Sequence, residues 1–174
     1  MRFYTCVLTL FLLLAFAAHG KSPEQVKGDF LFQVAKFVDF PKVNNQDSFT
    51  FCFYNINKGI GELLKSNSNL KINEQPIEVV LINKNQQISE LSRFCDITYI
   101  DETREDDIIP LWIDTISLNT LTVGESINFL EKGGIASLVQ EGNKIRLYIN
   151  KQQLLRSNLK VQSRLLAVSK FHPN

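Results

Sequence analysis

The chain has 174 residues, 44% hydrophobic and 21% charged, with eight Gly and five Pro. That composition excludes a disordered, collagen-like or linker-rich protein and fits one domain of about 150 residues. Lys and Arg number 19 against 18 Asp and Glu, a formal charge of +1, so the chain lacks the basic footprint that a nucleic-acid partner requires. The two histidines, His19 and His172, lie near the two ends of the chain. Triad chemistry and histidine zinc centres both need held imidazoles, so neither is expected.

In chain order the first element is an export signal. Met1-Arg2-Phe3-Tyr4 leads into an apolar run from Cys6 to Ala18, followed by Ala18-His19-Gly20-Lys21. One positive charge, a short apolar core and a small-x-small ending describe a secretory signal peptide. The run is shorter than the ~20 residues a bilayer-spanning helix needs. Residues 1–20 are therefore expected to be removed, with cleavage after Gly20 and Ala17 or Ala18 as alternatives. Residues 21–174 would form the exported domain, carrying 18 basic against 18 acidic side chains once Arg2 has gone. Cys52 and Cys95 remain, an even pair that in an oxidising compartment suggests one structural disulfide, with two buried thiols as the alternative.

Ser22 and Pro23 mark a helix start, cap followed by proline. Val26, Phe30, Leu31, Val34, Phe37 and Val38 recur at helical spacing as far as Pro41, which ends the helix. Phe49–Tyr54 reads as a strand, Asn57 as the cap of a short helix to Leu64, and Ile77–Ile82 as a second strand. Helical spacing returns at Ile88, Leu91 and Phe94. Cys95–Ile100 is a third strand, Glu105–Ile113 a helix and Thr120–Val123 a fourth strand. Gly134–Val139 and Lys144–Ile149 flank a hairpin turn, and Leu154 to Val168 predict a closing helix bent near Ser157-Asn158. The fold expected is α/β: a single three-layer domain, its mainly parallel sheet covered by helices on both faces, ending in a β-hairpin and a closing helix.

Three features invite a chemical reading. Asp101-Glu102-Thr103-Arg104-Glu105-Asp106-Asp107 follows a strand, where carboxylates could hold Ca²⁺ or Mg²⁺, yet it lacks the spaced loop pattern and suits a solvated helix start. Lys132-Gly133-Gly134 fits neither a P-loop nor a dinucleotide turn and instead suggests a tight turn with close backbone approach. Thirteen phenylalanines stand out, and Phe30, Phe32 and Phe37 cannot share one helix face. Phe32 and Phe40 are candidates for an apolar surface covered by a partner, or for caps on the core edge.

Several segments together resemble the YfiR-like family (DUF4154). Val26-Lys27 through Ala35-Lys36-Phe37-Val38-Asp39-Phe40-Pro41 resembles its Lys-containing opening helix running into F-V-x-W-P. Phe51-Cys52-Phe53 resembles its first strand, and Phe94-Cys95-Asp96-Ile97-Thr98-Tyr99-Ile100 the strand with the matching cysteine. Leu121-Thr122-Val123, Gly133-Gly134-Ile135, Ile145–Asn150 and Ser163-Arg164-Leu165-Leu166-Ala167 follow in the family's order. Two positions depart from it: Phe40 stands where Trp is usual, losing an indole donor, and no second cysteine pair follows the Gly-Gly turn.

The resemblance implies a small periplasmic α/β protein, often dimeric, with a disulfide between Cys52 and Cys95. It implies a regulator without cofactor or catalysis, whose better-known relatives restrain a membrane-bound diguanylate cyclase through its periplasmic sensor region. The expected partner is the periplasmic domain of an inner-membrane diguanylate cyclase or sensor kinase, with Phe32 and Phe40 as candidate contacts. The rival expectation is a periplasmic small-ligand sensor or adaptor for a histidine kinase or transporter, with an apolar pocket at the carboxyl edge of the sheet. Carboxylate-only chemistry through Asp101, Asp106 or Asp107 is the remaining enzymatic alternative.

Overall fold

Phe49–Tyr54 has apolar or aromatic side chains pointing both ways, so it needs cover on both faces, which a parallel sheet between two helical layers supplies. The computed structural model describes residues 20–41, 47–54, 59–67, 69–82, 94–112 and 119–173. In chain order these form α1 (Pro23–Lys36), β1 (Val38–Asp39), β2 (Phe49–Tyr54), α2 (Ile60–Lys65), β3 (Lys71–Ile72) and β4 (Gln75–Leu81). There follow β5 (Ile97–Ile100), α3 (Glu102–Trp112), β6 (Leu121–Gly124), α4 (Ile127–Glu131), β7 (Ala136–Glu141) and β8 (Lys144–Asn150). The chain closes with α5 (Lys151–Arg156), β9 (Lys160–Val161), α6 (Ser163–Val168) and β10 (Lys170–His172).

Eight strands make one sheet in the order β10-β8-β7-β6-β5-β2-β4-β3. Its centre, β4-β2-β5-β6-β7, is parallel throughout, while β3 and β8 add antiparallel to β4 and β7. β2 is flanked by β4 on one side and β5 on the other, which creates a topological switch point at their carboxyl ends. Alternate residues then divide the core. Phe51, Phe53, Ile97, Tyr99, Leu121 and Val123 face α1, α2, α5 and α6. Cys52, Tyr54 and Ile100 face α3 and α4 through Ile108, Ile109, Phe129 and Leu130. This is the three-layer α/β arrangement expected from the sequence.

Local chemistry sets the element ends. Ser22 Oγ accepts the Gln25 N–H while the Gln25 side chain accepts the Ser22 N–H, a reciprocal capping box at the start of α1. α1 stops at Lys36, before Pro41, because the chain turns into β1, which pairs with β9, and the Gln162 N–H donates to the Phe37 carbonyl. α2 begins at Ile60 with Gly59 as cap, and the predicted Asn57 cap lies outside the described residues, as do Ile88 and Leu91. α3 starts at Glu102, a turn earlier than its spacing predicts. A hairpin absent from the sequence reading precedes β4: Asn73 and Glu74 both take positive φ, 47° and 68°, as a two-residue primed turn requires. The closing helix is two helices, α5 and α6. Extended backbone at Ser157 and the pairing of β9 with β1 separate them, and β10 then adds in parallel to β8.

Gly133 and Gly134 form the tight turn their sequence suggests. Gly133 has φ 102°, and a Cβ on Gly134 would lie 2.1 Å from Phe129 Cε1. Gly134→Ala should therefore lower the unfolding free energy by about 1–3 kcal/mol, read by urea titration. Phe129→Leu in the same chain should return part of that loss. Gly142→Ala, at φ 58° in open space, should cost only about 1 kcal/mol from backbone conformation.

Candidate functional site

Phe32 turns inward from α1 and is only 9% exposed. Its ring carries the Lys36 ammonium at 4.3 Å and forms one wall of a cleft of about 320 Å³ between α1 and α2. Leu63, Leu64 and Leu70 supply apolar lining, with Lys21 and Asp29 paired at the exposed rim. Phe40 is half-buried and meets Phe49 edge to face, centroids 5.0 Å apart at 80°. From there the rings continue along β2 through Phe51 and Phe53 to Tyr99. Both candidate contacts thus lean on the core: Phe32 opens to the cleft and Phe40 to the amino end of β2.

Cys52 of β2 and Cys95, just before β5, are joined by a disulfide with their Cα atoms 5.8 Å apart, on the face covered by α3 and α4. Beside it the Asp96 carboxylate accepts the Thr50 N–H at 2.8 Å, while the Asp96 N–H donates to the Thr50 carbonyl. Burial pushes the Asp96 carboxyl up, and the Thr50 bond opposes that. The bridge and these two bonds hold β2 to the entry of β5.

The main polar constellation lies at the carboxyl edge of β5 and β6. The Lys27 ammonium meets Glu125 at 2.8 Å, with side chains only 14% and 13% exposed. The Tyr99 hydroxyl donates to the other oxygen of Glu125. Burial first, and then Glu125, raise the Tyr99 phenol well above its ordinary value. From α3, Glu105 is 2% exposed and accepts the N–H groups of Glu125 (2.7 Å) and Ser126 (3.1 Å) and the Ser126 hydroxyl. Burial raises the Glu105 carboxyl, with the Ser126 and Glu125 bonds opposing. At the end of β2, burial pushes the Tyr54 phenol up to about 12.

Of these five residues, Lys27, Tyr99, Glu105, Glu125 and Ser126, only Glu105 falls in a segment the sequence marks as a candidate site, the acidic run, and there as one carboxylate among several. The usable signal is Lys27, four residues before Leu31 and so on the apolar stripe of α1, where a cation needs an internal partner. The acidic run disperses on folding. Asp106 pairs with Lys132, Arg104 with Asp107, and Glu105 turns inward. Among the described residues no group of three or more His, Cys, Asp or Glu is arranged to hold a metal ion. His172 sits beside Glu131 at 3.3 Å, on the far edge of the sheet. The arrangement fastens segments together: Glu105 ties α3 to the start of α4, and Lys27 ties α1 to the end of β6.

Among the described residues no helix is long and apolar enough to cross a membrane. The family profile described as DUF4154, YfiR/HmsC-like, matches residues 24–170. No curated protein sequence matches the chain. Among solved structures, a conserved domain protein from Vibrio cholerae O1 biovar El Tor str. N16961 is similar at 15% identity with a TM-score of 0.58, over 86% of this chain and 60% of that one. An ABC domain in complex with L-Trp from Streptococcus pneumoniae is similar at 11% identity with a TM-score of 0.51, over 80% and 60%. At such identities these likenesses show the α/β fold alone, and the chain spans about 60% of the length of either protein.

Two measurements follow from this geometry. Replacing both Cys52 and Cys95 by Ala should lower stability by about 4 kcal/mol, the chain-entropy value for the 43-residue separation, read as a fall in Tm under non-reducing conditions. Glu105 has a folded pKa above its ordinary 4.5, so its contribution to stability is full below that value and is lost as pH rises through the folded pKa. The unfolding free energy of the native chain minus that of Glu105→Gln should therefore fall as pH rises from about 4.5 through the folded pKa. A difference that rises with pH would contradict the direction.

Proposed function

The chain belongs to the YfiR/HmsC-like family, and on that premise we propose that it is a periplasmic regulatory binding protein that restrains a membrane-bound diguanylate cyclase. Proteins of this family are periplasmic regulators of diguanylate cyclases and form a regulatory, non-catalytic group. The observation that carries the reading is the family match across residues 24–170, nearly the whole of the expected exported domain. In this reading residues 1–20 are a signal peptide, residues 21–174 are the working domain and the partner is the cyclase's periplasmic sensor region. Disulfide-braced β2 and the buried ring ladder give the domain a rigid frame. Phe40, half-buried beside Phe49, and Phe32 at the cleft are the proposed contacts.

The mechanism is a shift of populations. A regulator that binds the inactive sensor conformation better than the active one pulls the cyclase toward it by that difference alone. A differential of about 3 kcal/mol lowers the active fraction on the order of a hundredfold. No cofactor enters this scheme, and a homodimer is compatible with it.

A second reading, a small-ligand sensor or adaptor for a kinase or transporter, draws on the cleft between α1 and α2, whose 320 Å³ falls within the range of small-molecule pockets. The two readings separate in one experiment. Deleting the gene should raise cyclic-di-GMP in the source cell, the native chain should restore it, and Phe40→Ala should restore it only weakly. Unchanged cyclic-di-GMP, with the isolated chain's Tm shifting on addition of small metabolites, would overturn the cyclase reading in favour of the sensor.

A further inference from the structure

The first turns of α1 are held to the body of the protein unlike the rest of that helix. Pro23, Glu24, Gln25 and Val26 are all exposed, and apolar anchoring begins only at half-buried Phe30 and at Leu31, followed by Val34 and Ala35. Between them, the inward residues are Lys27 and Gly28. Gly28 lets α1 approach α2 closely, since a Cβ there would lie 3.2 Å from Ile60 Cγ2. A glycine inside a helix is also its weakest position, about 1 kcal/mol less favourable than alanine. That leaves Lys27 as the anchor of the segment, through its 2.8 Å ion pair with Glu125.

The receiving end is rigid. Tyr99, wholly buried in β5, holds one oxygen of the Glu125 side chain, and Glu105 of α3 holds the backbone of Glu125 and Ser126. Gly124 admits no side chain, because a Cβ there would lie 2.3 Å from Phe129 Cγ and 2.8 Å from the Glu105 carboxylate. The flexible partner across the ion pair is therefore α1. Its first turns also supply Gln25, Gly28 and Asp29 to one wall of the α1–α2 cleft, facing Leu63, Leu64 and Leu70.

We propose that residues 22–28 are a flap on the α1–α2 cleft, hinged at Gly28 and clasped shut by the Lys27–Glu125 ion pair. Opening the clasp frays the helix up to Gly28 and widens the cleft, while Leu31 onward stays packed on the sheet. This device stands independently of the cyclase reading, since it needs no partner to operate.

Amide hydrogen exchange of the exported chain, followed by mass spectrometry at neutral pH, tests it. Glu125→Gln keeps an acceptor for the Tyr99 hydroxyl but removes the ion pair. It should speed exchange at residues 26–30 by about tenfold or more, as local opening would, and leave β5 and β6 unchanged. Lys27→Met should do the same with the Glu125–Tyr99 bond intact, which covers the case in which Glu125→Gln folds poorly. Lys27→Glu combined with Glu125→Lys should bring exchange back toward the native rate. Lys21→Met, which breaks only the exposed pair with Asp29, should change little. The proposal is overturned if Glu125→Gln and Lys27→Met leave residues 26–30 within about twofold of native, if the whole chain accelerates equally, or if the charge swap restores nothing.

Discussion

Phe51 and Phe53 point to one side of β2 and Cys52 and Tyr54 to the other, so the strand persists only between two apolar layers, and the rest of the molecule is arranged to supply them. Parallel neighbours on both edges satisfy its backbone, with Phe51 opposite Val79 on one side and Ile97 on the other. Helices connecting parallel strands then cover both faces. The disulfide and the paired bonds between Thr50 and Asp96 pin the same strand to β5 near its base. Loss of these ties would loosen the switch point at the other end of the strand, where Tyr54 and Asp101 meet through a backbone bond.

With the faces closed by apolar packing, buried charge is concentrated at the carboxyl edge. There the Glu125 carboxylate pairs with the Lys27 ammonium and accepts the Tyr99 hydroxyl, while the neighbouring Glu105 carboxyl accepts the Ser126 hydroxyl. Buried pairs of this kind add little net stability, but breaking one partner leaves an uncompensated charge. Their effect is to fix where segments lie. Glu105 reaches from the layer on one face and Lys27 from the layer on the other, so the constellation ties α3 and α1 together around the end of the sheet. A regulator that acts by binding needs such fixed surfaces more than it needs reactive groups.

The layered fold was legible because its signals are local. β2, β5 and β6 announce themselves by apolar content and length, and Ser22-Pro23 with Gln25 spells out the start of α1. What escaped depends on tertiary pairing. The end of α1 is decided by β9, over a hundred residues later, and the split of the closing helix is the same event seen from the other strand. The β3–β4 hairpin turns at Asn73-Glu74, whose Glu in a left-handed conformation is a poor sequence signal. The edge constellation escaped because Lys27, Glu105 and Glu125 come from three distant segments and share no motif. Phe32 and Phe40 were legible as unusual, but whether each faced solvent or core was set by neighbours that only the fold brings to them.

The central claim is that this domain's partner is a cyclase in the envelope membrane. The most direct measurement is crosslinking of the tagged chain in its native envelope, followed by mass spectrometry of the crosslinked peptides. The account predicts a membrane protein with a cytoplasmic GGDEF domain, its periplasmic region linked to lysines near the cleft such as Lys21 and Lys36. Links to a histidine kinase or a transporter instead, or no membrane partner at all, would contradict it.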